Sequence, residues 1–300
     1  MTFRITDSNT NSTSARRVNA HRSQISILQE RLATGKRINR ASDDPQGAEA
    51  VINIRTSQTE IAQFKRNASA VKQKLTVADD SLGNYENILD RVKTLISQGM
   101  SGTATQEAKN AIAVELESLR ERILAVANSK SGGEFVFGGD RQNEPPFDPT
   151  TAAPSSTSSS VRYVQIEPGT TAIPSGVTAE SFLSDTVSDI FTDLTDAVAA
   201  LRGTGDADAD RATLQNTFSR LDVYSDLASI TRARIGANSN TTDLALENLS
   251  GDYLSLDLRA KDIEGADFAS TVIELTESEQ ALEATLQVIA NGRRSLFDYI

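Results

Sequence analysis

Starting at Ile54, apolar residues return at every seventh position: Ile54, Ile61, Ala68, Leu75, Leu82, Leu89 and Ile96. A companion series begins three residues after Ile61, with Phe64, Val71, Ala78, Tyr85 and Val92. Two apolar series offset by three residues are the a and d positions of a heptad. Here they persist for about six heptads, beyond the three or four that identify a coiled-coil seam. The pattern predicts one unbroken helix over 45–98, about 80 Å long at ~1.5 Å per residue.

The Gly-rich run "QGMSGTATQ" at 98–106 ends this helix. Ile112, Leu119 and Val126, with Leu116 and Ile123 beside them, then predict a second helix of about 25 residues. Between paired glycines, "EFVF" reads as a short strand, and "EPPFDP" continues neither a helix nor a central strand. Residues 150–160, "TTAAPSSTSSS", are of low complexity, and "VRYVQIEPG" alternates like an edge strand. Residues 141–184 are therefore expected to form a small β-rich or irregular insertion. Helical spacing resumes at Val187, Ile190, Leu194, Val198 and Leu201 and breaks at "RGTGDADAD". It then runs from Leu214, Phe218, Leu221, Ala228 and Ile235 through Leu249, Leu256 and Ile263. Pairing this second long helical segment antiparallel to the first would bury both seams.

Each end of the chain carries a stripe of its own. Val18, Ile25 and Leu32 recur at seven, with His21 and Leu28 beside them; Phe268, Leu275, Leu282, Ile289 and Leu296 do the same, widened by Val272 and Leu286. The rod of long helices offers neither stripe a place, so both are expected to pack on each other or on other subunits. On this reading Val18, Ile25, Leu32, Phe268, Leu275, Leu282, Leu286, Ile289 and Leu296 form an assembly interface, with arms disordered in the monomer and ordered on assembly.

The corner "ATGKRINRASDDPQGA" separates the first stripe from the long seam. Gly35 stands where a left-handed C-terminal residue ends a helix, and Lys36 and Arg37 follow at the negative end of that helix's dipole. Asp43 precedes Asp44 and Pro45, an N-cap acid followed by proline at the first helical position. Gly35, Lys36, Arg37, Asp43, Asp44 and Pro45 thus form a joint between arm and rod.

Composition narrows the chemistry. The 300 residues include 38% hydrophobic but only 5% aromatic side chains and no Trp, which suits thin helical cores. A net charge of −11 argues against a nucleic-acid binder. The first 40 residues hold eight basic and two acidic side chains and residues 241–300 hold four and twelve, so the two ends attract each other, within or between molecules. No apolar run predicts a cleavable general-secretion signal or a membrane span. With no cysteine and one histidine, His21, there is no thiol nucleophile, serine triad or Cys/His metal set to assemble. "TGKR" fails as a phosphate loop because Glu30 stands where its first glycine belongs, and the glycines at 132, 133, 138 and 139 do not fit a dinucleotide fingerprint. "DADAD" is too short for a calcium loop. No cofactor or metal is expected.

The stretch "LQERLATGKRINRASDDPQGA" resembles the N-terminal joint of the bacterial flagellin superfamily. "GGEFVFGGDRQNEPPF" is similar to that family's turn into its outer domain, and "RARIGANSNTTDLALENL" with the segment from "IEGADFASTV" to the end matches its C-terminal half. The "SDDP" form and the closing "RRSLFDYI" are more similar to its hook-associated junction proteins than to filament flagellin. These segments cover 1–147 and 187–300. The resemblance implies a mainly α fold: an elongated rod of long antiparallel coiled-coil helices, a small β-rich insertion, and terminal arms that pair. The division expected is 1–40 with 265–300 as an inner-tube domain, 41–140 with 185–264 as a rod, and 141–184 as an outer domain. It also implies a structural, non-enzymatic junction between hook and filament, exported unprocessed through the flagellar type III apparatus. Implied partners are hook-associated protein 1, flagellin, further copies in a helical ring and an export chaperone, with no nucleic acid or membrane. Filament flagellin and an independent coiled-coil scaffold or signalling rod are the competing readings; the latter predicts terminal segments already helical and protected from hydrogen exchange in the soluble monomer.

Overall fold

The computed structural model describes residues 3–154, 160–169, 172–185 and 187–297, with side chains left undescribed at 3–11 and 291–297. Its elements run α1 (Phe3–Thr34), α2 (Pro45–Gly99), α3 (Gln106–Ala127), β1 (Lys130–Ser131), β2 (Glu134–Phe135), β3 (Tyr163–Val164), β4 (Ile173–Pro174), α4 (Glu180–Leu183), α5 (Ile190–Arg202), α6 (Ala207–Glu264) and α7 (Phe268–Phe297). The fold is mainly α. The chain divides into two compact units, residues 1–60 with 252–300 and residues 61–251.

In the second unit α2 and α6 run antiparallel along the heptad seam. Ala68, Val71, Leu75, Ala78, Leu82, Tyr85, Leu89, Val92 and Ile96 are buried against Leu214, Leu221, Tyr224, Ala228, Ile235 and Ala245 of α6 in one core. A repeating apolar seam can slide by a heptad, and polar pairs along it set the register. Arg232 bonds Asp79 at 2.9 Å and Glu86, one heptad on, at 2.7 Å. Lys93 pairs with Asp222 at 2.9 Å, and Lys72 pairs with Asp243.

α3 lies against α5 in the same core, the Gln106 side-chain amide donating to Leu201 O at 2.9 Å and Arg202 pairing with Glu117 at 2.9 Å. Thr105 caps α3 through Ala108 N. The "DADAD" run is a cap as well: Asp206 accepts from the amides of Asp208 and Ala209 at the head of α6. Val187, expected to open the next helix, lies exposed in the preceding loop. Asp185 there accepts from the amides of Val187 and Ser188, and Asp189 caps α5 through Thr192 N at 3.0 Å, so capping acids override the apolar spacing.

The segment between α3 and α5 folds over this core. β1 and β2 form a hairpin around Gly132 and Gly133, both at positive φ as a two-residue turn requires. Only Glu134–Phe135 of "EFVF" is strand; Val136 and Phe137 turn inward, where Phe137 and Tyr85 both meet Phe182 edge-on. β3 pairs with β4 in a second antiparallel sheet. Elsewhere in this unit, Arg220, Asp193, Tyr224 and Asp185 form a bonded polar cluster: Arg220 Nε to Asp193 at 2.5 Å, Tyr224 OH donating to Asp193 at 2.5 Å, and Arg220 Nη2 to Asp185 at 3.0 Å. Burial first, then the bond to Asp193, raise the Tyr224 pKa. Among the described residues no helix is long and apolar enough to cross a membrane.

Candidate assembly interface

The first unit is organised by the joint. Gly35 takes φ +67° and its N–H reaches Arg31 O at 2.8 Å, closing α1 in the single-bond left-handed cap that glycine permits. The chain then runs beside the break between α6 and α7. Lys36 and Gly265 form an antiparallel bridge, with Arg37 N donating to Glu264 O at 2.7 Å and Ala266 N to Gly35 O at 3.0 Å.

This crossing redirects two residues. Lys36 and Arg37, expected to serve the carbonyl end of α1, turn to the end of α6 instead, Arg37 to a carbonyl and Lys36 to the Glu264 carboxylate. Arg37 Nη2 donates to Ile263 O and to Asp44 Oδ2, both at 3.1 Å, and Lys36 pairs with Glu264 at 3.1 Å. Once Gly35 breaks the helix, the extended chain carries both side chains away from α1. Arg55 adds a second cation to Glu264, at 2.9 Å.

The two acids of "SDDP" divide the local work. Asp43 accepts from the amides of Asn39 at 3.1 Å and Arg40 at 2.8 Å, folding the turn; the Arg40 amide leads the causes that hold its pKa below the ordinary aspartate value. Asp44 accepts from Gly47 N at 3.0 Å and so caps α2 ahead of Pro45; the Gly47 amide, then Arg37, lower its pKa. A Cβ at Gly47 would stand 2.5 Å from Ile38 Cδ1, so glycine lets Ile38 close over the helix start.

Sequence reading missed Ile38, Gly47, Glu264, Gly265 and Asp267. A signal existed for the last two. "EGADF" repeats the grammar of the first joint, a glycine ending one helix and an acid starting the next, and Asp267 caps α7 through Ala269 N at 3.0 Å and Ser270 N at 3.2 Å.

From this joint α1 and α7 run antiparallel, packed on each other. The seam of α1 is Ser14, Val18, His21, Ile25, Leu28 and Leu32, and that of α7 is Thr271, Leu275, Ser278, Leu282, Thr285 and Ile289. Both step alternately by four and three, as a/d positions do. Leu28, beside the expected stripe rather than on it, is the fully buried member of α1 among the described residues. Val18, Ile25, Leu32, Leu275, Leu282 and Ile289 are half-buried; Phe268 and Leu286 are exposed, and Leu296 lies outside the residues whose side chains are described. In place of disordered arms the structure has two paired helices, because each seam covers the other.

That cover is thin. Every second position of the α7 seam is Ser or Thr, so the contact buries less apolar area than an aliphatic seam would. Ile27, Phe268, Val272, Ile273, Leu286 and Val288 remain on the outside. Arg16, Arg17 and Arg22 on α1 and Glu274, Glu277, Glu279 and Glu283 on α7 are also exposed, and among the described residues no ion pair joins the two helices. The pair therefore presents apolar groups with opposite charge on its two helices, and its chemistry is that of packing. Among the described residues no group of three His, Cys, Asp or Glu is placed to hold a metal.

Known proteins resemble the chain in these regions. The sequence model of the bacterial flagellin N-terminal helical region matches residues 6–141, which spans α1, the joint, α2 and α3. Flagellar hook-associated protein 3 of Salmonella typhimurium is 22% identical over 282 residues, covering 88% of this chain and 89% of that protein. Flagellin of Listeria innocua is 22% identical over 272 residues, covering 89% and 88%. Among solved structures, a putative flagellar hook-associated protein from Vibrio parahaemolyticus superposes with a TM-score of 0.68 at 21% identity, over 74% of this chain and all of that one, which establishes a common fold.

Proposed function

We infer that this chain, a flagellin-superfamily protein similar over most of its length to flagellar hook-associated protein 3, is a structural component of the bacterial flagellum that joins hook to filament. The observation that carries this reading is the terminal helix pair. Its internal seam is half Ser and Thr on one side, while its outer faces carry apolar residues and opposite charge that a lone molecule leaves in water. Copies stacked around an axis would cover those faces, and the heterologous contacts of such a stack generate a ring or helix. Two backbone bonds and Glu264 between two cations tie the ends of the helix pair together at the joint.

On this reading the partners are hook-associated protein 1 on the hook side, flagellin on the filament side, further copies in the ring, and a flagellar export chaperone before assembly. The protein works outside the cell and catalyses nothing. Two substitutions test it. Leu286→Asp places a charge on an exposed position off the internal seam, so helicity should stay at the wild-type level while incorporation into flagella is lost. Leu282→Asp strikes the half-buried seam and should also loosen α1 from α7. Wild-type incorporation of Leu286→Asp would overturn the assembly role of this face. Purified protein added to filament seeds should not grow long homopolymers; if it does, the chain is a filament flagellin.

A further inference from the structure

A second unpartnered stripe lies outside the terminal helices. On α6, beside the buried seam, Val223, Ile230, Ala237 and Leu244 recur at seven and all are exposed, Ile230 at 50% and Leu244 at 62%. The buried seam of the same stretch already contains Leu221, Tyr224, Ala228 and Ile235, so the outer series has no work in the internal core. Asp226 stands between Val223 and Ile230 on this face, exposed and in no ion pair among the described residues.

The matching surface is a groove between α2 and α3. Its floor is Ile88, Leu119 and Val126, and its rim includes Asn84, Asn87 and Arg122. Arg122 is exposed and, among the described residues, in no ion pair, whereas its neighbour Arg91 is held by Glu115 at 2.7 Å. The groove runs from Leu119 to Val126, seven residues or about 10 Å of helix, which is the rise from Val223 to Ile230. An apolar step of the same length thus stands on each surface, with a free acid on one and a free base on the other.

We propose that the Val223, Asp226 and Ile230 face of α6 seats in the α2/α3 groove of a second copy, Asp226 meeting that copy's Arg122. The occupant is another copy because one chain carries both complementary halves. The two surfaces share no residue, so the contact is heterologous and propagates as a ring or helix. The inference rests on the subunit-packing reading above and adds to it a contact made by residues 61–251.

Charge reversal in the full chain tests it, read as copies incorporated per flagellum. Asp226→Arg and Arg122→Glu should each lower incorporation by about tenfold or more, since each sets like charges face to face. The double variant restores the pair in reversed sense and should regain most of the loss. All three should match the wild type in helicity and melting, both positions being exposed. Because the chain has no cysteine, Ile230→Cys with Asn84→Cys gives one thiol pair, and oxidation should link copies in isolated flagella. Wild-type incorporation of both single variants overturns the proposal. Loss in the singles without recovery in the double overturns the assignment of a second copy and points to another protein on this face. If these variants incorporate normally while Leu286→Asp does not, the proposal fails and the junction reading stands; if the wild type itself is absent from flagella, the junction reading fails.

Discussion

Gly265→Ala is the most informative perturbation of the joint. A Cβ built on Gly265 would lie 2.5 Å from the carbonyl oxygen of Lys261, and that atom belongs to the backbone at the end of α6, not to a side chain that can swing aside. The chain must therefore move where it carries Arg37 N→Glu264 O at 2.7 Å and Ala266 N→Gly35 O at 3.0 Å. Two backbone bonds contribute about 1 kcal/mol each. The Glu264 carboxylate, whose side chain is 13% exposed, would also draw away from Lys36 and Arg55. Those cations are themselves about half in water, so each pair adds about 0.5 kcal/mol. The local loss is about 3 kcal/mol, or about a hundredfold in the opening equilibrium at ~1.4 kcal/mol per factor of ten. Hydrogen exchange at the amides of Arg37 and Ala266 reads it directly: both should exchange about a hundredfold faster in the variant. Gly35→Ala is the calibrating control. It meets nothing within 4 Å but must hold φ +67°, a strain of about 1 kcal/mol, and should cost less than tenfold. Unchanged protection at Arg37 and Ala266 in Gly265→Ala, or an equal effect from the two alanines, would refute the account of the crossing.

Three further outcomes follow from the geometry. Tyr224→Phe removes a hydroxyl bonded to Asp193 and Arg220, which retain each other, and should lower stability to urea by about 1 kcal/mol, whereas Arg220→Met strands Asp193 in the core and should cost about 3 kcal/mol. Arg232→Ala deletes the cation shared by Asp79 and Glu86 across the α2/α6 seam and should cost about 1–2 kcal/mol in thermal unfolding. Asp43 and Asp44 have folded pKa values below their unfolded ones, so their stabilisation is complete above the ordinary aspartate value of about 3.9 and is lost as pH falls through the depressed folded values. Protection of the Arg40 and Gly47 amides should accordingly hold at pH 5 and collapse in stronger acid, and persistence to the lowest pH would refute the capping roles.

How far the chain can be read without its tertiary structure differs from element to element. The heptad from Ile54 to Ile96 announced α2 almost to the residue, and Gly35, Asp44 and Pro45 announced the joint, because periodicity and capping act between residues one to four positions apart. The same local rules failed at Val187, where two capping acids outweigh apolar spacing, and in "EFVF", where Val136 and Phe137 leave the strand for a core already holding Tyr85 and Phe182. Which residue of the α1 stripe lies deepest, Leu28 rather than Val18, Ile25 or Leu32, was decided by the helix that meets it.

Amino-acid order by itself determined the helices, their seams, the breaks between them and the surplus of apolar positions at both ends. Only the tertiary structure decided where Lys36 and Arg37 point, that Glu264 and Gly265 complete the joint, and which apolar residues are left facing out. Arg37 and the carbonyl it reaches, Ile263 O, stand 226 positions apart. No rule of local spacing connects such a pair; the antiparallel return of α6 beside α2 brings them together, and that return is a property of the packed chain.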